Sequence, residues 1–364
     1  MRKILLSIFA TFFSIFICFL ALPEVANAES RTIYLATAAN RNYQGELINK
    51  NFEKSLAPDG ELGKLIFAPI SSPRVWLIDA ALVEDVNFLA EKDSVLAKNW
   101  LVRLKIMVAS ERVYATAYGN PDVIYLKSLA PTELNFYYQV GQERLAKLLN
   151  KSVLSEKGSG YSYKRAPISS EIREFFNTSR QEFAALSTVV NPQEIEGDRA
   201  RIAEIFSPLL NSSQRDSLFK DFESSQPGVI NKLRIVSGRY QITNSRQKMP
   251  ITLVNDFESP VKVDLLFTPM NNRVVFPEYR QITLNPKSKI QVSVPIKSIA
   301  AGDVQVIARF ENGDGKAVGA TGMLDLSSTI ISPAVARFTT GAGVVLILAA
   351  IAQSVRRVRK NRKV

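Results

Sequence analysis

The chain has 364 residues, enough for about two domains, and its 46% apolar and 22% charged residues are the balance of an ordinary globular protein. The formal net charge of +12 is concentrated at the ends: Arg2 and Lys3 open the chain, and Arg356, Arg357, Arg359, Lys360, Arg362 and Lys363 close it, leaving a body over residues 29–337 too mildly basic for a nucleic-acid footprint. There is no His, and the one Cys is Cys18, so a Ser-His-Asp triad, a Cys-His pair and a typical zinc site are excluded.

No cofactor and no metal are therefore expected, and no nucleic-acid partner. Carboxylates, Lys, Tyr, Ser or oxygen-ligated metals are the chemistry that remains.

Residues 1–28 read as a secretory signal peptide. Arg2 and Lys3 supply the positive start, Ile4 to Leu22 the apolar run, and Ala26-Asn27-Ala28 the small-x-small cleavage site. Retention of that run as an anchor is the alternative. From 29 to 230 short apolar strands alternate with amphipathic helices. Strands are expected at 32–37, at 74–79 and at 113–117. Helical stretches are expected at 52–67, 94–108, 131–150, 169–186 and 199–210. Strands alternating with helices imply an α/β domain with a parallel sheet or part of a barrel.

Residues 231–330 change in texture. Ile251 and Leu253, then Val261, Val263 and Leu265, then Ile290, Val292, Val294 and Ile296, then Val304, Val306, Ala308 and Phe310 alternate at period two. Turn pairs such as Asn255-Asp256, Asn285-Pro286 and Asn312-Gly313 separate them. This pattern implies an all-β, antiparallel immunoglobulin-like sandwich without the usual disulfide. Phe338 to Val355 is then an uncharged run, short for a spanning helix. With Arg337 before it and a basic tail at 356–364 after it, it reads as one C-terminal transmembrane helix. The topology expected is a single-pass cell-membrane protein, N-terminus outside, C-terminus cytoplasmic and bulk extracytoplasmic.

Several stretches in order resemble a known family: Ser55 to Leu62 (SLAPDGEL), Trp76 to Leu82 (WLIDAAL), Asn99 to Leu104 (NWLVRL), Ala117 to Val123 (AYGNPDV), Pro250 to Asp256 (PITLVND), and the terminal helix with its Arg-rich tail. They are similar to actinobacterial envelope proteins of unknown function, signal-peptide-bearing and single-span, often encoded beside the lipid II flippase. The resemblance implies a degenerate deacetylase-like α/β barrel, a membrane-proximal sandwich and a link to peptidoglycan or envelope assembly. It implies no established activity. The deacetylase fold holds its metal with His and Asp, and this chain has no His.

Asp79 follows one strand and Asp122 closes the Tyr118-Gly119-Asn120-Pro121-Asp122 segment after another. Ligands gather at the C-terminal ends of parallel strands. Asp79, Tyr118, Asn120 and Asp122 are thus the candidate binding residues, with Asp79 and Asp122 the candidate acid/base pair of a glycan-active hydrolase. Against this stand a helix N-cap for Asp79 and a turn for 119–122. Trp76 and Trp100 are candidate sugar platforms whose strand and helix contexts favour core packing. Asn177 and Asn211 begin short glycosylation-like patterns. The leading expectation is a non-catalytic, membrane-anchored module that binds an envelope glycan or a partner. The alternatives are the hydrolase and a structural partner of a membrane transporter, such as a lipid II flippase-like protein.

Overall fold

The computed structural model describes residues 31–69, 74–157, 165–277, 279–329 and 333–361. The expected signal peptide lies outside these residues. The chain forms two compact units: Met1–Asn40, Asn49–Gly119 and Tyr137–Ser162 make the first, and Arg41–Ile48, Asn120–Phe136 and Tyr163–Val364 the second.

The first unit is built on a parallel sheet in the order β1 (Arg31–Leu35), β2 (Arg74–Ile78), β3 (Arg112–Ala115) and β4 (Leu154–Ser155). The strands are short apolar runs, and the register pairs Leu35 with Ile78 and Ile78 with Ala115. Helices α1 (Phe52–Ser55), α2 (Glu61–Phe67), α3 (Ala80–Glu91) and α4 (Val95–Val108) belong to it, and α6 (Pro131–Leu149) supplies Tyr137 onward. Helix α4 starts where the Ser94 hydroxyl accepts from the Ala97 N–H at 3.2 Å, satisfying one of the orphan donors of a first turn. Its inner face carries Trp100 and Leu104, both fully buried, against a core that includes Trp76, Ile66 and Ile78. The Trp100 indole donates to the Leu62 carbonyl at 3.2 Å, so its one polar atom is paired in the core. Gly141 lets α6 approach the strand ends, since a Cβ there would collide with the Thr116 carbonyl oxygen.

The second unit holds α5 (Val123–Leu129), α7 (Ser170–Leu186), α8 (Glu196–Arg201), α9 (Ser212–Ile230) and the strands β5 (Leu233–Ile235), β6 (Gly238–Ile242), β7 (Arg246–Asn255), β8 (Val261–Pro269), β9 (Val274–Val275), β10 (Tyr279–Leu284), β11 (Ser288–Ser298), β12 (Gly302–Glu311) and β13 (Ala317–Ser328). The nine strands form one sheet, β10-β8-β12-β13-β5-β7-β11-β9, with β6 also on β13. Strand β5 pairs parallel with β13 and antiparallel with β7, and β6 continues along β13 in parallel. Alternating residues such as Val304, Val306, Ala308 and Phe310 are buried, so one face of the curled sheet lines a core. Gly319, at φ +69, is needed where its Cα passes the Leu233 carbonyl.

Three expectations are corrected. The region 231–330 is a single curled mixed sheet rather than an antiparallel immunoglobulin-like sandwich. Alternation along a strand reports which face is buried and not the direction of its neighbours, so the parallel pairs on β13 were invisible to it. The parallel strands of the first unit form an open four-stranded sheet, not a deacetylase-like barrel. The C-terminal segment is helical, α10 (Pro333–Asn361), but no helix among the described residues is long and apolar enough to cross a membrane. Its described apolar stretch, Val344 to Ala352, is preceded by Gly341 and Gly343 and followed by Gln353 and Ser354. The single-pass cell-membrane topology and the integral membrane partnership expected from 338–355 are withdrawn with it.

Candidate functional site

At the strand ends of the first unit, each expected residue has a structural partner. Asp79 leaves β2 in an extended conformation and caps α3. Its Oδ1 accepts from the N–H of Ala81 at 3.1 Å and of Gly119 at 3.0 Å, and the residue is 2% exposed. Tyr118 is also buried, and its hydroxyl donates to Glu84 Oε2 at 2.7 Å. Arg144, from α6, donates to the two Glu84 carboxylate oxygens at 3.2 and 3.4 Å. Its guanidinium also sits 5.1 Å from the Tyr118 ring centroid. Glu84 and Arg144 keep about a fifth of their side-chain surface in water. They, rather than Asp79, are the charges that reach the surface here. Glu84 gives no sequence signal because it lies one turn inside a helix, and Arg144 gives none because sixty residues separate it from Glu84. Deeper in, the Asn40 amide bridges Thr37 Oγ1 at 2.9 Å and Asp85 Oδ2 at 3.2 Å.

Asn120 and Asp122 belong to the second unit. Gly119 and Asn120 have φ of 72° and 46°, a left-handed pair that Gly and Asn adopt most readily. Asp122 caps α5, accepting from the N–H of Tyr125 at 2.9 Å and of Ala166 at 2.8 Å, with Arg165 Nε at 3.6 Å. Its carboxylate is fully buried. Both candidate acids are thus spent on backbone amides. A general acid or base must come within hydrogen-bond reach of the group it protonates, and neither carboxylate faces open water. Among the described residues no group of three or more acidic, His or Cys side chains converges as a metal site. Trp76 and Trp100 are core residues. Asn177 lies inside α7, and Asn211 caps α9 with a reciprocal bond to Gln214.

The second unit also carries a polar groove of about 880 Å³ on the sheet. The register sets Arg239 beside Asp325 and Asp325 beside Gln305, and in the next row Gln241 beside Ser327 and Ser327 beside Asp303. Gln305 donates to Asp325 Oδ1 at 3.1 Å, and Asn271 donates to the Asp303 carbonyl at 3.3 Å. Amides, carboxylates and a guanidinium at strand spacing offer paired donors and acceptors to a hydroxylated ligand, at nearly balanced charge. These side chains come from three strands and one loop, so no local sequence signal announced them.

A model of a family of unknown function, DUF6049, matches residues 146–362. The match includes the whole curled sheet and leaves out Asp79, Tyr118, Asn120 and Asp122. No curated protein matches the chain. Among solved structures, the chain is similar to WR4, a C. elegans MSP family member, with 7% identity and a TM-score of 0.21, over 27% of this chain and 99% of that one. It is similar to native alpha-2-macroglobulin from Escherichia coli, with 11% identity and a TM-score of 0.22, over 26% of this chain and 16% of that one. It is also similar to PapD-like domain 7 of human CEP192, with 14% identity and a TM-score of 0.22, over 28% and 87%. Likenesses this slight carry no functional argument.

Proposed function

The chain belongs to the DUF6049 family, and from that premise we propose that it is an exported, non-catalytic module that binds an envelope glycan or an envelope partner and assists peptidoglycan or envelope assembly. The observation that carries the reading is the use of Asp79 and Asp122 as buried helix caps, each accepting two backbone N–H groups. A chain without His whose best-placed acids are structural is better suited to holding a ligand than to cleaving one. The signal at 1–28 and the resemblance to actinobacterial envelope proteins encoded beside the lipid II flippase support export and setting. The polar groove at Arg239, Gln305 and Asp325 supports glycan contact.

The test is sedimentation of the full chain with purified peptidoglycan sacculi. Co-sedimentation without release of soluble sugar is expected. A chain that stays in the supernatant counts against glycan binding, and sugar release that is lost in Asp79→Asn or Asp122→Asn restores the hydrolase.

A further inference from the structure

On the outer face of β7, β11 and β9, one pair of like charges stands directly opposite, with a third cation close by. Lys297 pairs in register with Arg246 on one side and with Val275 on the other, and Pro295 pairs with Lys248. Like charges facing across an antiparallel pair are destabilising. Elsewhere in the same unit Arg234, Arg239 and Arg309 each sit beside an acid, Asp256, Asp325 and Glu311. Among the described residues, Arg246, Lys248 and Lys297 have no such partner for their side chains. Lys297 and Arg246 thus face each other as like charges with Lys248 two residues along β7, and among the described residues no acid pairs with any of the three.

Between them runs an apolar groove of about 540 Å³, lined by Val275, Phe276, Pro277 and Pro295. Phe276 is fixed there by stacking on Phe267, with centroids 4.6 Å apart and planes at 20°. Val275 is 48% exposed.

We propose that this groove docks an extended acidic segment of a protein partner, its apolar side chains on Val275, Phe276 and Pro295 and its carboxylates on Arg246, Lys248 and Lys297. The cations sit on two neighbouring strands, roughly 5 Å apart across the ladder and 7 Å apart along β7. That spacing suits successive carboxylates of an extended chain, whereas a phosphate calls for donors converging on one point. Pro295 has no N–H to offer, so side chains rather than an added strand hold the segment. The site is separate from the polar groove, and it does not depend on glycan binding.

The probe is a fluorescein-labelled peptide of alternating Glu and Val, titrated into the full chain by anisotropy. Binding is expected to weaken about tenfold or more in the R246Q/K248Q/K297Q variant, and also as salt rises from about 50 to about 300 mM. Val275→Ser is expected to weaken it a few-fold without changing the salt slope. Because the triple change removes like-charge repulsion, its unfolding midpoint should equal or exceed that of the parent. The proposal is overturned if the peptide binds neither protein, if it binds both alike, if a Gln-Val peptide binds as well, or if phosphatidylglycerol vesicles are retained and the peptide is not.

Discussion

The carboxylate of Asp79 accepts the backbone N–H of Gly119 at 3.0 Å, forty residues away in sequence. With its bond to Ala81, it joins the end of β2 to the turn that follows β3. Asp79→Ala should cost about 2 to 4 kcal/mol, from the lost cap and from two buried amides left without an acceptor. Asp79→Asn keeps one acceptor and should cost about 1 kcal/mol. Urea unfolding of the two variants checks both, and equal losses would refute the capping role.

Asn255 is fully buried at the end of β7. Its amide donates to the carbonyls of Ser259 at 3.0 Å, Asn285 at 2.9 Å and Leu284 at 3.4 Å, while its Oδ1 accepts from Phe257 N–H at 3.0 Å. Asn255→Asp preserves shape and removes every donor while burying a charge. It should therefore cost at least as much as Asn255→Ala, about 2 to 4 kcal/mol. Chemical denaturation in which Asp proved milder than Ala would show the donors to be dispensable.

Arg215 is 2% exposed. It donates to the carbonyls of Ile205 at 3.0 Å, Ser207 at 2.7 Å and Leu210 at 3.3 Å, pinning the loop before α9. Arg215→Met fills the space and leaves those carbonyls unmatched, for a loss of about 3 kcal/mol or more. Limited proteolysis should then open the chain first between Ile205 and Leu210. Cleavage that begins elsewhere at the parent rate would argue against the clamp.

Strands β1 to β3 were legible because each is a short run of apolar residues ended by a turn or a cap. Helix α9 was not, since Leu218, Phe219, Phe222 and Val229 are sparse among Ser, Gln and charged residues, and Pro227-Gly228 reads as a break. Its start was visible in principle: Asn211 and Gln214 stand three apart, the spacing of a reciprocal cap. The capping role of Asp79 was likewise open to inspection. Its second bond, to Gly119, was not, because a tertiary contact leaves no local signal. The cations Arg246, Lys248 and Lys297 leave no local signal for the same reason. Lys248 and Lys297 look like ordinary solvent-facing residues until register places them around Pro295.

Burial pushes the Asp198 carboxyl above its ordinary 3.8, with Tyr43, Lys232 and Arg201 pulling the other way. A group whose folded value is raised contributes stability that is full below the unfolded value and is lost as pH rises through the folded one. The stability gap between the parent and Asp198→Asn should therefore shift against the parent as pH climbs above 3.8. The Tyr43 phenol, itself pushed up by burial and by Asp198, stays protonated across that range. Thermal melts from about pH 3.5 to about pH 7 read this directly, and a gap that does not move with pH would remove Asp198 as its source.

Strand β13 bonds to β12, β5 and β6, and Met323 N–H reaches Ser237 Oγ, 86 residues earlier. During synthesis β5 and β6 leave the ribosome long before the strand they pair with. Until residues 317–328 have emerged, the nascent sheet presents unmatched edges to other chains or to a second copy of itself. Pairing at this range is slow relative to hairpin formation. A holdase that keeps these edges apart would thus matter most to the yield of this protein in the interval before its last strand is made.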